Sequence, residues 1–421
     1  MIKSECVVIV DGYSSGKFLR LLFEGNGIEC VHVQSRINIP KLYLKDHENH
    51  VKKNYLENII YVSDEQVVRE LKKYNVRFIM PGSESGVGLA DTLTATILPQ
   101  FKNTTDYFRR SKYLVNEMLA AEMPEHKKFL RSVSLDEILN WKQSNRIEKC
   151  VLKPVDSAAS DNVHICTSKE DIEHGFESIK NALNFTNEPN KEVLCEEFLV
   201  GEEYVVNTVS YEGEHVVTDI WTSKKKYVNG HPLYDRQDIV HPQSDIYKKL
   251  EEYVYRCLNV LGTKFGASHF EIMYTKKGPM IIEVGARLAG GMDPSAITKA
   301  IGINQVTALA SVYLYGKEYI RFLQQFLKNG KFGHYTKLLL ISRHSGQAIR
   351  SPSLEIFKGL PTFHSMHYDV PVNQKLSITI DRQTCPGCIF LVSPDRASIE
   401  WDYDTIRAVE DKVIGETLVA V

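Results

Sequence analysis

Two rhythms of apolar and polar positions alternate over the first part of the chain. Residues 6–10, Cys-Val-Val-Ile-Val, form an unbroken apolar run of the kind found in strands buried on both faces. Asp11-Gly12-Tyr13-Ser14-Ser15-Gly16 is turn chemistry. Residues 17–24 have helical spacing through Phe18, Leu19, Leu21, Leu22 and Phe23, and Gly25-Asn26-Gly27 stops the pattern. Residues 28–34 read as a second strand. A strand at 59–62, a helix over 65–74 and a strand at 76–80 repeat the rhythm. Strands alternating with helices predict a mostly parallel sheet, whose ligands lie beyond the carboxyl ends of the strands. The turns 11–16 and 81–88 are therefore the first places to look for a site. Neither contains G-x-G-x-x-G, which argues against a dinucleotide fold.

The pattern changes after residue 108. Residues 109–121 have the spacing of an amphipathic helix. Val151-Leu152-Lys153-Pro154 reads as a strand and leads into a small polar segment, 156–162. A strand at 163–166 precedes a helix starting near Ser168, with Asp171 in its first turn. Residues 193–199 open a run of strands with one helix over 247–261. From about 330 onward short strands and turns dominate, closed by a helix near 404–412. No internal repeat or low-complexity segment is present.

Composition narrows the function. The chain has 421 residues with 51 basic and 53 acidic side chains, a formal charge of −2. That balance argues against partners held by bulk charge, so neither nucleic acid nor a membrane surface is expected. No segment approaches the ~18 apolar residues of a membrane span, and no secretory leader is evident, so the cytoplasm is the expected compartment. Most of the eight cysteines sit in apolar strand-like runs. Only Cys385-Pro-Gly-Cys388 has ligand or redox spacing, and one such pair also suits a tight turn between late strands.

The most informative stretch is His269-Phe270-Glu271-Ile272-Met273-Tyr274, a turn at 275–279, and Met280-Ile281-Ile282-Glu283-Val284-Gly285-Ala286-Arg287. It reads as a β-hairpin. Pairing symmetric about Lys277 sets Glu271 opposite Glu283. Directly opposed carboxylates repel and call for a cation, and an all-oxygen set indicates Mg²⁺ or Mn²⁺. A slipped register would instead leave one Glu facing solvent. Arg287 follows and precedes Leu288-Ala289-Gly290-Gly291, which suits a developing oxyanion or a phosphoryl group. Lys153, at a strand end before a Ser-rich segment, suits a phosphate; in isolation it reads more readily as a solvated lysine.

These elements together resemble the ATP-grasp ligases. Lys112 in Arg-Arg-Ser-Lys-Tyr, Lys153 in Leu-Lys-Pro, the hinge Glu196-Glu197-Phe198-Leu199-Val200-Gly201-Glu202-Glu203-Tyr204, the pair Glu271 and Glu283, and Arg287 follow the family order over 109–316. The segments Val10-Asp11-Gly12-Tyr13-Ser14-Ser15-Gly16 and Pro81-Gly82-Ser83-Glu84-Ser85-Gly86 extend the likeness to bacterial L-amino acid ligases, which join two amino acids into a dipeptide. One departure is Gly285, where many relatives carry Asn as a further metal ligand.

The resemblance implies an α/β, multi-domain ATP-grasp fold. Its parts would be an N-terminal parallel-sheet domain (1–108), a small ATP-binding subdomain (109–195), a large one (196–325) and a β-rich C-terminal cap (326–421). It implies that Lys112, Lys153 and Ser157 meet ATP phosphates, that Glu196, Glu197, Phe198 and Leu199 line the adenine slot mostly through backbone groups, and that Glu203 reaches the ribose. Glu271 and Glu283 would hold two Mg²⁺ ions, with Mn²⁺ as a substitute. Arg287 would stabilise the acyl phosphate and tetrahedral intermediate beside Gly290, and Glu84 and Ser85 would face the amino acid pocket. The segment 221–235 falls where the family has a substrate-facing loop, and its three lysines read as a solvated charge run. The implied activity is ATP-dependent joining of two L-amino acids, releasing ADP and phosphate; homodimers are common in the family, and the sequence leaves the oligomeric state open. A ligase for a non-proteinogenic acid or amine, as in antibiotic peptide synthesis, a carboxylase or nucleotide-biosynthesis relative, and a non-enzymatic nucleotide-binding module are the rivals.

Overall fold

The apolar run near the N-terminus is strand β1 (Glu5–Val10), and its residues from Cys6 onward are wholly buried. Its alternate side chains enter two cores. Cys6, Val8 and Val10 pack with Val31, Val33, Ile59, Val67, Leu71 and Leu93, whereas Val7 and Ile9 pack with Leu19, Phe23, Phe78 and Met80. Burial on both faces explains why the strand shows no alternation. Each such side chain contributes about 1.5–3 kcal/mol relative to exposure. With β2 (Glu29–Gln34), β3 (Glu57–Ile60) and β4 (Asn75–Pro81) it forms a parallel sheet in the order β3-β2-β1-β4. Helices α1 (Leu19–Glu24), α2 (Asp64–Leu71) and α3 (Val87–Ile97) cover it. The expected N-terminal α/β layout is thus present, with α1 beginning later than residue 17 because 14–18 form a tighter 3₁₀ turn.

The computed structural model describes residues 3–52, 54–104, 111–156, 162–184, 188–228, 231–381 and 384–418. The expected helix over 109–121 is α4 (Lys112–Glu122), whose first turn is capped by Ser111; residues 109 and 110 lie outside the described residues. A small antiparallel sheet follows in the order β5-β8-β6-β7: β5 (Phe129–Ser132), β6 (Cys150–Pro154), β7 (His164–Cys166) and β8 (Val193–Glu197). Helices α5 (Leu135–Ser144) and α6 (Lys169–Lys180) pack on it, burying Ile138, Ile172, Phe176 and Ile179 against Cys150, Leu152 and Cys195. The predicted start of α6 is confirmed by a reciprocal cap between Ser168 and Asp171.

While Gly346–Gln347 and Lys375–Leu376 pair separately, eight further strands form one antiparallel sheet. They are β9 (Gly201–Tyr211), β10 (Glu214–Val228), β11 (His231–Ile239), β12 (Gly266–Thr275), β13 (Gly278–Gly285), β14 (His334–Leu339), β15 (Phe363–Tyr368) and β16 (Gly387–Ser393). Their order is β13-β12-β9-β10-β11-β14-β16-β15. The C-terminal strands therefore continue this large sheet, joined where Arg236 pairs with Leu338 and Asp238 with Thr336. Helix α7 (Asp245–Val260) packs under this sheet together with α4. Helices α8 (Pro294–Ile301), α9 (Gln305–Tyr315) and α10 (Lys317–Asn329) lie between β13 and β14, and α9 closes the second core of the N-terminal sheet. The closing helix α11 runs Arg396–Gly415, well beyond the expected 404–412. Its first turn is capped by Asp395, and exposed Trp401 breaks the apolar period there.

Candidate active site

The paired carboxylates meet, by a route the symmetry argument did not contain. The hairpin turn is Lys276-Lys277, with Thr275 paired to Gly278, so plain continuation would place Ile282 opposite Glu271. A β-bulge intervenes: Ile272 pairs with Ile281 and Glu271 with Glu283, leaving Ile282 as the extra residue. The bulge keeps both carboxylates at one register position. It also frees the Ile282 carbonyl, which accepts from Lys127 Nζ at 3.1 Å and Lys153 Nζ at 3.5 Å.

Lys112, at the start of α4, reaches the hairpin and lies 3.0 Å from Glu283 Oε1. Lys153 does not behave as a solvated strand-end lysine. It is buried, and its Nζ is 2.7 Å from Glu196 Oε2. Lys127 approaches the other oxygen, Glu196 Oε1, at 2.9 Å, and Asn116 donates to the same oxygen at 2.6 Å. Burial alone would raise the Glu196 carboxyl, but Lys127 and Lys153 outweigh it and hold the group at about 2. Burial lowers the Lys127 ammonium to about 8 despite Glu196. For Lys153 burial also pulls downward, but Glu196 and Glu283 prevail and raise it. The Glu196 side chain is thus committed to ion pairs, and any contact it makes with adenine falls to the backbone. Sequence reasoning missed Lys127 and Asn116. Lys127 sits in Glu-His-Lys-Lys-Phe, where no periodicity separates it from surface lysines.

Arg287 follows β13 and is held by the N-terminal domain. Its Nε donates to Glu84 Oε2 at 2.9 Å, and its Nη1 donates to the Leu288 carbonyl at 2.9 Å. Burial opposes its charge, but Glu84 and its other neighbours raise its pKa further. A Cβ at Gly285 would lie 3.3 Å from Glu84 Oε2 and 3.4 Å from Arg287 Cζ. The departure at Gly285 therefore has a local reason: a side chain there would crowd the Glu84–Arg287 pair. Beyond Arg287, Ala289 N donates to Gln305, whose amide also bonds the carbonyls of Thr208 and Ser268. Gln305, also missed in the sequence, pins this loop to the sheet.

The two N-terminal turns press on the same place. A Cβ on Gly82 would fall 2.5 Å from Gly12 Cα and 2.6 Å from the Asp11 carbonyl, so the turns touch through backbone alone. Asp11 and Ser14 hold positive φ values of 50° and 53°, strained for side-chain-bearing residues. The buried Asp11 carboxylate accepts from Ser35 N, Ser35 Oγ and Ser85 Oγ, which ties β1, β2 and β4 together. Ser15 Oγ donates to the Ala289 carbonyl, and a Cβ on Gly290 would lie 3.0 Å from Ser14 Oγ. Glu84 and Gly290 therefore stand where the N-terminal turns meet the Arg287 loop. The Ser85 hydroxyl donates to Asp11.

Elsewhere on the hinge, Glu197 N bonds the Lys128 carbonyl and Phe198 N the Lys149 carbonyl, while Lys149 Nζ sits 3.9 Å from the Phe198 ring centre. Leu199 is half-buried. Glu203 is engaged by Lys225 at 2.8 Å and by the Tyr234 hydroxyl at 2.9 Å. The lysines of 221–235 are exposed, but two of them are paired: Lys225 to Glu203 and Lys224 to Asp238. Ser157 lies outside the described residues. Cys385 donates to the Leu340 carbonyl just ahead of β16, which contains Cys388.

Among the described residues no group of three His, Cys, Asp or Glu is arranged as a metal cage. Two opposed carboxylates fit Mg²⁺, which keeps waters and phosphate oxygens and takes one or two carboxylates from protein. Lys112 supplies the positive charge beside Glu283 that such an ion would take over. When bound, the ion would neutralise charge on the phosphates.

A family model described as the ATP-grasp domain matches residues 147–295. Dapdiamide A synthase of Enterobacter agglomerans is 33% identical over 412 residues, covering 96% of each chain. The chain belongs to the ATP-grasp ligases. The fold agrees. The L-amino acid ligase from Bacillus licheniformis superposes with a TM-score of 0.73 at 15% identity, over 97% of this chain and 98% of that one. A carboxyaminoimidazole ribonucleotide synthase from Aspergillus clavatus, in complex with ATP, gives 0.66 at 14% identity, over 97% and 99%. This ATP-grasp ligase is accordingly an ATP-dependent enzyme joining a carboxylate to an amine. Among the described residues no helix is long and apolar enough to cross a membrane.

Proposed function

We propose that the enzyme forms a peptide bond between two amino acids, one of them supplied as an acyl phosphate made from ATP. The observation that carries this reading is the placement of Arg287. It ends the carboxylate hairpin, and Glu84 of the N-terminal domain fixes it 2.9 Å away. A carboxylate substrate entering between the two domains meets a preorganised guanidinium, with Lys112 and Lys153 on the nucleotide side. The carboxylate attacks the γ-phosphate, giving an acyl phosphate and ADP. The amine of the second substrate then attacks the acyl carbon and phosphate leaves. Arg287 stabilises negative charge in both steps. Two Mg²⁺ ions at Glu271 and Glu283 belong to the same reading.

A second reading concerns the acid. The curated relative spanning nearly the whole chain is named for making dapdiamide A rather than a plain dipeptide. That favours a non-proteinogenic acid or amine as one substrate. Phosphate release measured over pairs of standard amino acids, then with diamino and amide-bearing acids, separates the two. Turnover only with the second set selects the second reading. Formation of AMP and pyrophosphate in place of ADP and phosphate defeats both.

A further inference from the structure

Three cations and one buried carboxylate crowd the nucleotide side of the site. Glu196 is 3% exposed, with Lys127 and Asn116 on Oε1 and Lys153 on Oε2. The two lysines are not equivalent. Lys153 lies at the end of β6, where the proposed function assigns it to ATP phosphates. Lys127 lies between α4 and β5, and only 1% of its side chain is exposed, against 5% for Lys153 and 10% for Lys112. It is anchored a second time to the Ile282 carbonyl at 3.1 Å.

If Lys153 turns toward a phosphate, Glu196 loses the partner on Oε2. Leaving a buried carboxylate without a cation is strongly unfavourable. We propose that Lys127 is a positioning residue: it stays on Glu196 as the resident counter-charge, so that Lys153 is free to engage the nucleotide. The Ile282 bulge serves both lysines, since its carbonyl holds Lys127 down and gives Lys153 a second, longer contact at 3.5 Å. Asn116 completes the seat. Its amide donates to Glu196 and its oxygen is bonded by His126 at 2.8 Å, so it cannot turn away without loss. Lys127 touches no phosphate in this scheme, which separates it from Lys112 and Lys153.

The inference rests on the proposed nucleotide site, and its test keeps the two apart. ADP with Mg²⁺ and no amino acid is titrated calorimetrically into parent, Lys127→Met, Glu196→Gln and the double variant. Lys127→Met is expected to weaken ADP binding by about tenfold or more, because Lys153 remains tied to Glu196. In the Glu196→Gln background the same substitution is expected to change affinity by less than about threefold, since no carboxylate is left to strand. Equal ADP affinity of Lys127→Met and parent would overturn the inference while leaving the nucleotide site standing. So would an undiminished loss in the Glu196→Gln background, which would make Lys127 a direct ligand. Should Lys127→Met fail to fold, the comparison of Glu196→Gln with the double variant keeps the inference falsifiable: a loss beyond about threefold there overturns it. Absence of ADP and ATP binding by the parent would defeat the nucleotide site itself.

Discussion

Glu271 stands opposite Glu283 because Ile282 is an extra residue in β13. The opposition is already compensated: Lys112 Nζ lies 3.0 Å from Glu283 Oε1. This narrows the expectation from the bare sequence, in which removing a charge from an opposed pair leaves the metal-free protein as stable as the parent or slightly more so. Glu283→Gln should instead leave metal-free stability unchanged or lower it by up to about 1 kcal/mol, the worth of a part-exposed ion pair. Turnover should collapse with loss of the carboxylate. A rise in the metal-free melting temperature would mean that Lys112 does not neutralise the pair.

Lys153→Ala carries a structural cost that a solvated lysine would not. The substitution takes one of two cations from buried Glu196; because Lys127 and Asn116 stay on Oε1, the cost should remain below the ~3 kcal/mol of a fully stranded buried charge. The variant should melt several degrees below the parent and bind ADP more weakly. Parent-like thermal unfolding would contradict the burial of Lys153.

Glu196 also gives the protein an acid-dependent signature. Its carboxyl is held at about 2, against an ordinary 4.5. A depressed carboxyl contributes stability that is fully present above about 4.5 and is lost as pH falls toward 2. Glu196→Gln should therefore be less stable than the parent at neutral pH, and the gap should narrow once the pH drops below about 4.5. Melting temperatures of both proteins across that range check the sign; a gap that stays constant would show that Glu196 is not paired as described.

How much of this was legible in the sequence depended on whether the partner was near in the chain. The carboxylate pair and Arg287 share one hairpin, so residue type and spacing exposed them. The bulge did not show, because Ile282 sits in an apolar run where any of three residues could be the extra one. The parallel N-terminal sheet was readable from its unbroken apolar strands. Continuation of the large sheet into β14–β16 was not, since pairing of β11 with β14 crosses a helical stretch. Lys153 was found as a nucleotide candidate but not as a buried one. Its partner Glu196 and the second cation Lys127 come from separate elements, and only folding brings their charges together. Ser85 lies in a turn the sequence singles out, but its bond to Asp11 depends on the apposition of β1 and β4.

The Glu84–Arg287 pair gives the sharpest separation of binding from chemistry. Arg287 offers a planar fork, with Nε spent on Glu84 and Nη1 on Leu288 O. Arg287→Lys keeps the charge but loses the fork, and a lysine cannot satisfy Glu84 and an oxyanion in the same geometry. ADP affinity should be retained, because Lys112 and Lys153 are untouched. Turnover should fall by ~100-fold or more, as for loss of an oxyanion donor. Glu84→Gln should act differently. It leaves the guanidinium intact but removes the charge that orients Nε, so turnover should fall less than in Arg287→Lys, with ADP affinity again unchanged. The two substitutions together should cost little more than Arg287→Lys alone, because both remove one arrangement. Steady-state turnover with the best amino acid pair, alongside ADP calorimetry, reads all three variants. Fully additive losses would mean that Glu84 acts on the substrate by itself and not through Arg287, and an Arg287→Lys enzyme with parental turnover would remove the guanidinium from the reaction.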